Sequence, residues 1–412
     1  MTSQLSADLE QLASFSDTPA PSVTRVVYTP TDLLARKYVK DLCAASGLEI
    51  REDAAGNTFA RWQGKEPSLP AVATGSHIDA IPHAGKYDGT VGVLGGLDAI
   101  RILQRSGARP RRSIELILFT SEEPTRFGIG CLGSRLLAGS LDASAGSRLR
   151  DKEGLTLNQA RETAGFRGTL ESVRLAKGHY DAFVELHIEQ GPLLEQDGLA
   201  LGVVTAIAAP ASLRVQVEGE GGHAGALLMP YRHDAFLAAA ELALAVESAA
   251  QATGVIDTVG TTGICEVFPG AVNSVPSKTR LEIDIRDIDL ARRDGVLESV
   301  RAASREIGAR RGVRFVIETV NADSPATCHP RIADTLSAAC EQAGLPHRRM
   351  VSRAYHDSLF MAQIAPISML FVRSKGGISH RPDEYSTPED IDAGVQVLAG
   401  ALGRLAGRLA EM

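Results

Sequence analysis

Apolar positions change their spacing along this chain from one segment to the next. Residues 5–16 and 31–46 repeat them at helical intervals, the second run with Thr31 as expected N-cap and Gly47 as its stop. A strand pair follows over 48–52 and 58–62, joined through Gly56-Asn57. The short apolar run 71–73 leads into Thr74–Asp88, then a glycine-rich helix over 90–106 and an unbroken apolar strand over 114–119. Residues 135–178 read as mainly helical and polar, and 183–186 as a short strand. Buried strands alternating with amphipathic helices, with polar residues gathered at strand ends, predict an α/β sheet.

Between 212 and 322 the pattern becomes strand 213–218, helix 233–251, strand 255–267, strand 278–287, helix 290–310 and strand 313–320. That β-α-β-β-α-β order is ferredoxin-like and complete in itself. After Asp323-Ser324-Pro325 the first pattern resumes, with a helix at 332–343, a strand at 366–372 and a closing helix from 388 to about Ala410. The expected organisation is a catalytic domain built from 1–211 and 324–412, interrupted by a domain over 212–323. A chain of 412 residues exceeds what one core usually supports, which agrees with two domains.

Composition narrows the function classes. Hydrophobic residues make up 44% and charged residues 23%, ordinary values for a folded protein. A formal net charge of -7 argues against a nucleic-acid partner, since phosphate binding needs a basic face. The five cysteines form no C-x-x-C pair and read as reduced thiols. Asp8, Glu10 and Asp17 break up the first thirty residues, which argues against a secretory signal, and no apolar run reaches the roughly eighteen residues of a membrane span. The expected address is the cytoplasm, with no membrane partner.

Candidate chemistry gathers just after the strands. His77 and Asp79 are two residues apart, so in an extended segment Asp79 is expected to hydrogen-bond the ring of His77 and orient it. Asp88, ahead of the glycine-rich helix, is placed to bridge cations. With Glu123, His187 and His380 these residues offer two histidines and a shared carboxylate to one cation, and that carboxylate, a glutamate and a histidine to another. Glu122 and Glu123 are adjacent and face different ways, so one can bind metal while the other holds an attacking water; a solvated acidic turn is the alternative.

The ordered motifs Gly-Ser-His-Ile-Asp, Lys-Tyr-Asp-Gly, Thr-Ser-Glu-Glu-Pro-Thr-Arg-Phe-Gly, Glu-Leu-His-Ile-Glu-Gln-Gly-Pro, Gly-Gly-His-Ala-Gly and Ser-His-Arg-Pro-Asp-Glu resemble those of the M20-type amidohydrolases that hydrolyse N-carbamoyl compounds. The resemblance spans nearly the whole chain. It implies a dinuclear aminopeptidase-like catalytic domain with a ferredoxin-like lid that also dimerises. His77, Asp88 and His187 would bind one metal, and Asp88, Glu123 and His380 the other, with Mn²⁺ expected first and Zn²⁺ second. Glu122 would be the general base and Asp79 the residue supporting His77. Gln190, His223, Asn273, Arg286 and His356 would contact substrate, His223 reaching the other subunit of a homodimer to stabilise the oxyanion.

Arg286 suits that role on its own terms, because alternation along Arg280–Arg286 puts it on the polar face of a strand and guanidinium meets a carboxylate with two parallel bonds. Within the family, the stretch from Ser352 through Tyr355-His356-Asp357 to Ala362 resembles the subgroup acting on ureidoglycolate, with Tyr355 expected to recognise the substrate hydroxyl. The expected reaction is cleavage of the ureido group to give glyoxylate, ammonia and CO2 in ureide catabolism. N-carbamoyl-L-amino acid and allantoate hydrolysis stand as nearer alternatives. A metallopeptidase and a non-catalytic binding protein of the same fold stand further off.

Overall fold

The computed structural model describes residues 3–107 and 109–407. The chain divides into two compact units. One comprises residues 1–205, 328–352 and 356–412; the other comprises 206–327 with Arg353–Tyr355.

The first unit is a mixed α/β sheet. Its centre is four parallel strands in the order Ile367–Val372, Tyr180–Ile188, Ala71–His77 and Ile114–Phe119. Thr58–Trp62 and then Glu49–Glu52 add antiparallel beyond Ile114–Phe119, while Leu201–Ile207 runs antiparallel along the other flank. The central strands are buried on both faces and mostly apolar because helices cover both. All four therefore deliver their next residues at one carboxyl-terminal edge, the usual place for chemistry in such sheets.

The glycines of the helix Thr90–Arg105 have a packing reason. A Cβ at Gly92 would stand 2.3 Å from the carbonyl oxygen of Leu186. Only a bare backbone lets this helix press onto the central strand, and that brings its N-terminus beside His77.

Several local expectations change. The helix Pro30–Ala45 is capped by Thr29, not Thr31: Thr29 Oγ1 accepts the Asp32 N–H at 3.3 Å, with Pro30 as first helical residue. Thr31 instead donates to Asp17. This cap supports Arg36, which reaches Gly56 O and Thr120 Oγ1 just before the Glu122 loop. Thr29→Ala is expected to lower the unfolding free energy by about 1 kcal/mol in urea titrations; an unchanged midpoint would mean that the cap contributes nothing.

Residues 132–173 hold only short pieces, Leu132–Ala138, Ala143–Ser147, Leu157–Thr163 and a 3-10 turn, rather than a mainly helical stretch. Strands Leu201–Ile207 and His347–Ser352, which the apolar pattern did not single out, complete the sheet flank. The closing helix runs Pro388–Leu405, and the expected end near Ala410 lies outside the described residues.

The second unit has the element order strand Ala209–Glu218, helix Ala235–Gln251, strand Val259–Phe268, strand Lys278–Asp287, helix Leu290–Arg311 and strand Arg314–Ala322. The strands form one antiparallel sheet with Val259–Phe268 and Arg314–Ala322 at its edges. Leu213, Val215, Leu242, Val246, Leu281, Ile283 and Val300 fill the space between the sheet and both helices. Among the described residues, no helix is long and apolar enough to cross a membrane.

Candidate metal centre

Five of the expected ligands meet at the carboxyl-terminal edge of the first unit. The donor atoms of His77, Asp88 and His187 lie within 4.8 Å of one another, and so do those of Asp88, Glu123 and His380. Asp88 belongs to both groups. His187 Nε2 is 3.2 Å and His77 Nε2 3.5 Å from its Oδ1, while His380 Nε2 is 3.1 Å from its Oδ2 and 3.3 Å from Glu123 Oε1.

Two of the three rings are turned by their other nitrogen. His187 Nδ1 bonds the main-chain oxygen of Ile188 at 2.9 Å, and His77 Nδ1 that of Asp79 at 3.0 Å. A nitrogen donating to a carbonyl leaves Nε2 as the nitrogen with the lone pair, which is how a ligating imidazole is held. His187 Nε2 is buried and has no hydrogen-bond partner. An orphaned ring nitrogen 3.2 Å from a carboxylate oxygen, in one compact donor group with His77, fits a divalent cation.

Asp79 acts through a different atom than expected. The strand ends at His77, so the two-residue alternation no longer holds, and the Asp79 carboxylate sits 3.7 Å from the ring. It accepts the N–H groups of Glu122 at 3.2 Å and Glu123 at 3.1 Å instead. One residue therefore orients His77 by its carbonyl and fixes the acidic loop by its side chain.

Glu122 and Glu123 do diverge. Glu123 faces His380; Glu122 lies 3.9 Å from His77 Nε2 and receives the Cys131 thiol at 3.5 Å. Burial pushes the Glu122 carboxyl well above its ordinary range against the pull of His77, with Glu123, Asp357 and Asp88 adding to the rise. Asp88 goes the other way: burial opposes ionisation, but three histidines hold it well below the usual carboxylate value. His380 is pushed up to about 11 by its bonds to Asp88 and Glu123.

Backbone geometry serves the same centre. Gly89, with φ 66°, precedes the helix, and a Cβ there would stand 2.5 Å from the His77 ring. His380 and Gln190 hold left-handed backbone at φ 58° and 56°, uncommon for residues other than glycine.

The expected substrate residues divide between the units. In the first, Gln190 Nε2 donates to Asp88 Oδ2 at 2.9 Å, and its Oε1 is buried without a partner. His356 is buried, bonded to Ser352 Oγ at 3.0 Å, with its ring edge-on to His187 at 4.5 Å between centroids.

In the second, His223 is exposed and its Nδ1 accepts the Gly225 N–H at 3.1 Å. Exposed Asn273 holds Ala224 N–H through its carbonyl at 2.9 Å. Arg286 lies on the less buried face of its strand, its fork on Asp284 at 2.7 and 3.4 Å and Nη1 on Arg353 O at 3.3 Å. Tyr355 donates its hydroxyl to Asp323 at 2.5 Å.

Residues that the sequence pattern did not single out also converge here. Glu185, in the strand before His187, accepts Ser76 Oγ at 2.8 Å and the N–H and hydroxyl of Ser358 at 3.1 and 2.6 Å. Together with His187 and His356 it forms a third compact donor group, but its oxygens are already taken by these donors. Its inward place in a buried strand was the available signal.

Residues 73–404 match the family Peptidase family M20/M25/M40. The chain belongs to this family. It is 56% identical over 408 residues to the ureidoglycolate hydrolase of Arabidopsis thaliana, covering 97% of this chain and 86% of that one. Identity with the N-carbamoyl-L-amino acid amidohydrolase of Geobacillus stearothermophilus is 37% over 399 residues, covering 97% of each. A crystal structure of AtUAH in complex with (S)-hydroxyglycine superposes with a TM-score of 0.88 at 55% identity, covering 98% of this chain and 97% of that chain.

Proposed function

We propose that this protein hydrolyses the ureido group of ureidoglycolate, releasing glyoxylate, ammonia and CO2. The observation that carries the reading is the full-length 56% identity to a ureidoglycolate hydrolase, with identity to the carbamoyl-amino-acid enzyme falling to 37% over the same span. The finer architecture of the proposal is an aminopeptidase-like catalytic domain, 1–211 with 324–412, and a ferredoxin-like lid and dimerisation domain over 212–323.

His77, Asp88 and His187 would hold one divalent cation and Asp88, Glu123 and His380 the other, Mn²⁺ first and Zn²⁺ second, since imidazole and carboxylate donors suit both. When bound, the pair supplies Lewis acidity that polarises the ureido carbonyl and acidifies water. Glu122 takes a proton from the attacking water and returns it to the departing nitrogen; burial suits it to this exchange by raising its affinity for a proton. The bond formed is water oxygen to ureido carbon, and the bond broken is that carbon to the nitrogen on the glycolate carbon. Carbamate then falls to ammonia and CO2, and hydroxyglycine to glyoxylate and ammonia.

Arg286 and Asn273 hold the carboxylate in this scheme, with Asp284 keeping the guanidinium plane in place. Gln190 and His356 line the ureido end beside the metals. Tyr355, whose O–H is directed to Asp323, offers an oxygen lone pair to the substrate hydroxyl. The partner's His223 stabilises the oxyanion. Dimerisation is supported by the edge strand Val259–Phe268, which exposes Ile264 and Phe268 on an apolar, unpaired rim. The reading keeps the cytoplasm as its address.

Ammonia release from ureidoglycolate, allantoate and N-carbamoyl-L-amino acids, with metal analysis of the same samples, tests the proposal. Ureidoglycolate should give the highest kcat/KM by about two orders of magnitude, since leaving one buried polar group unpaired costs about 1–3 kcal/mol. Preference for either other class would overturn the substrate assignment. Arg286→Lys should raise KM for ureidoglycolate about tenfold with kcat nearly unchanged, because a point charge cannot reproduce the planar fork. An unchanged KM would count against the carboxylate role.

A further inference from the structure

The loops bearing Asp88 and His380 are joined by a side chain that belongs to neither donor group. Glu384 is 4% exposed. Its Oε1 accepts two successive main-chain N–H groups, Tyr87 at 2.9 Å and Asp88 at 3.1 Å. Its Oε2 takes the hydroxyl of Ser379 at 2.8 Å, the residue immediately before His380. That hydroxyl also lies 3.2 Å from Asp88 Oδ2, but it has one proton and the nearer acceptor is Glu384. Ser379 Oγ in turn accepts Gln190 Nε2 at 3.3 Å.

The approach is built into the facing loop. A Cβ at Gly85 would stand 2.4 Å from Glu384 Cβ and 2.5 Å from its Oε1, so the absence of a side chain at 85 lets the carboxylate slide beneath the 85–88 turn. A carboxylate buried this deeply is held by donors aimed at it, and charge-assisted bonds of this kind are about twice as strong as neutral ones. Here those donors come from the two segments whose side chains share a cation in the proposed scheme.

We propose that Glu384 is a positioning residue: by clamping the Tyr87 and Asp88 amides to the Ser379 hydroxyl, it sets the separation of Asp88 from His380 and so the affinity for the cation they share with Glu123. This rests on reading those three residues as ligands. Outer partners that fix a ligand's position typically account for about 10- to 100-fold in metal affinity.

The test is calorimetric titration of Mn²⁺ into metal-free wild type, Glu384→Ala, Glu384→Gln and Ser379→Ala, with melting temperatures of the metal-free proteins alongside. Glu384→Ala should weaken one of the two binding events by about 10- to 100-fold and leave the other within about threefold. Glu384→Gln should recover most of that affinity, since its amide oxygen still takes both N–H groups and its NH2 meets the Ser379 lone pairs. Ser379→Ala removes only one arm and should fall between, keeping the test open if the alanine variant at 384 does not fold. Wild-type affinity at both sites in Glu384→Ala would overturn the proposal, as would a lowered melting temperature with affinity unmoved, or no recovery in Glu384→Gln. Failure of wild type itself to bind Mn²⁺ would overturn the metal-centre reading and this inference together.

Discussion

Glu122→Gln is expected to keep the wild-type metal content while lowering kcat by about 10²- to 10⁴-fold, the usual contribution of a positioned acid-base group. The substitution preserves shape and removes only the capacity to take a proton. Glu122 stands 3.9 Å from His77 Nε2 without belonging to either donor group, and its main chain is fixed independently by the Asp79 carboxylate. The loop therefore survives the change. Steady-state rates at saturating Mn²⁺, with elemental analysis of the same sample, read both halves of the expectation. Glu123→Gln should behave differently, losing affinity at the His380 site. Near-normal turnover in Glu122→Gln would remove it from the proton path.

Asp88→Asn should be the most damaging change to the centre itself. Its two oxygens face His77 and His187 on one side and His380 on the other, so a single lost charge weakens both sites. Bound metal after gel filtration should fall from about two ions per chain to below one, with activity falling at least as far as for Glu122→Gln. Asparagine is close in size, and the Gln190 contact can still form, so near-UV spectra should remain those of a folded protein. Retention of both ions would show that Asp88 does not bridge.

Much of this candidate centre was legible in the sequence because the candidate ligands sit at or after the ends of strands whose apolar runs are unmistakable. His77 closes one strand and His187 stands one residue before the end of another, while Glu123 and His380 come in the loops after Phe119 and Val372. What escaped depends on contacts that spacing does not encode. Whether Asp79 meets His77 by carbonyl or carboxylate turns on the strand ending at His77, which alternation alone cannot place. Glu384 meets the amide of a residue 296 positions earlier, and nothing local to Ser-His-Arg-Pro-Asp-Glu signals it. Thr31 was the more obvious cap, but Pro30 moves the helix start back because its ring presets the first helical turn.

The family resemblance carried the residues of the second unit further than their chemistry alone would. Arg286 is held by Asp284, and Tyr355 by Asp323. Both arrive with a carboxylate already attached: alternation puts Asp284 on the face of Arg286, whereas spacing does not signal the pairing of Tyr355 with Asp323.

One asymmetry of the centre bears on how it is emptied. The side chains of His77, His187, Asp88 and Glu123 are between 1% and 7% exposed, whereas that of His380 is 48% exposed. An ion held by His380 would therefore have a solvent-side door, and one held by His77 and His187 would have none. Under a chelator the two should depart in sequence, the His380 ion first and fast, leaving a singly loaded species long-lived enough to isolate.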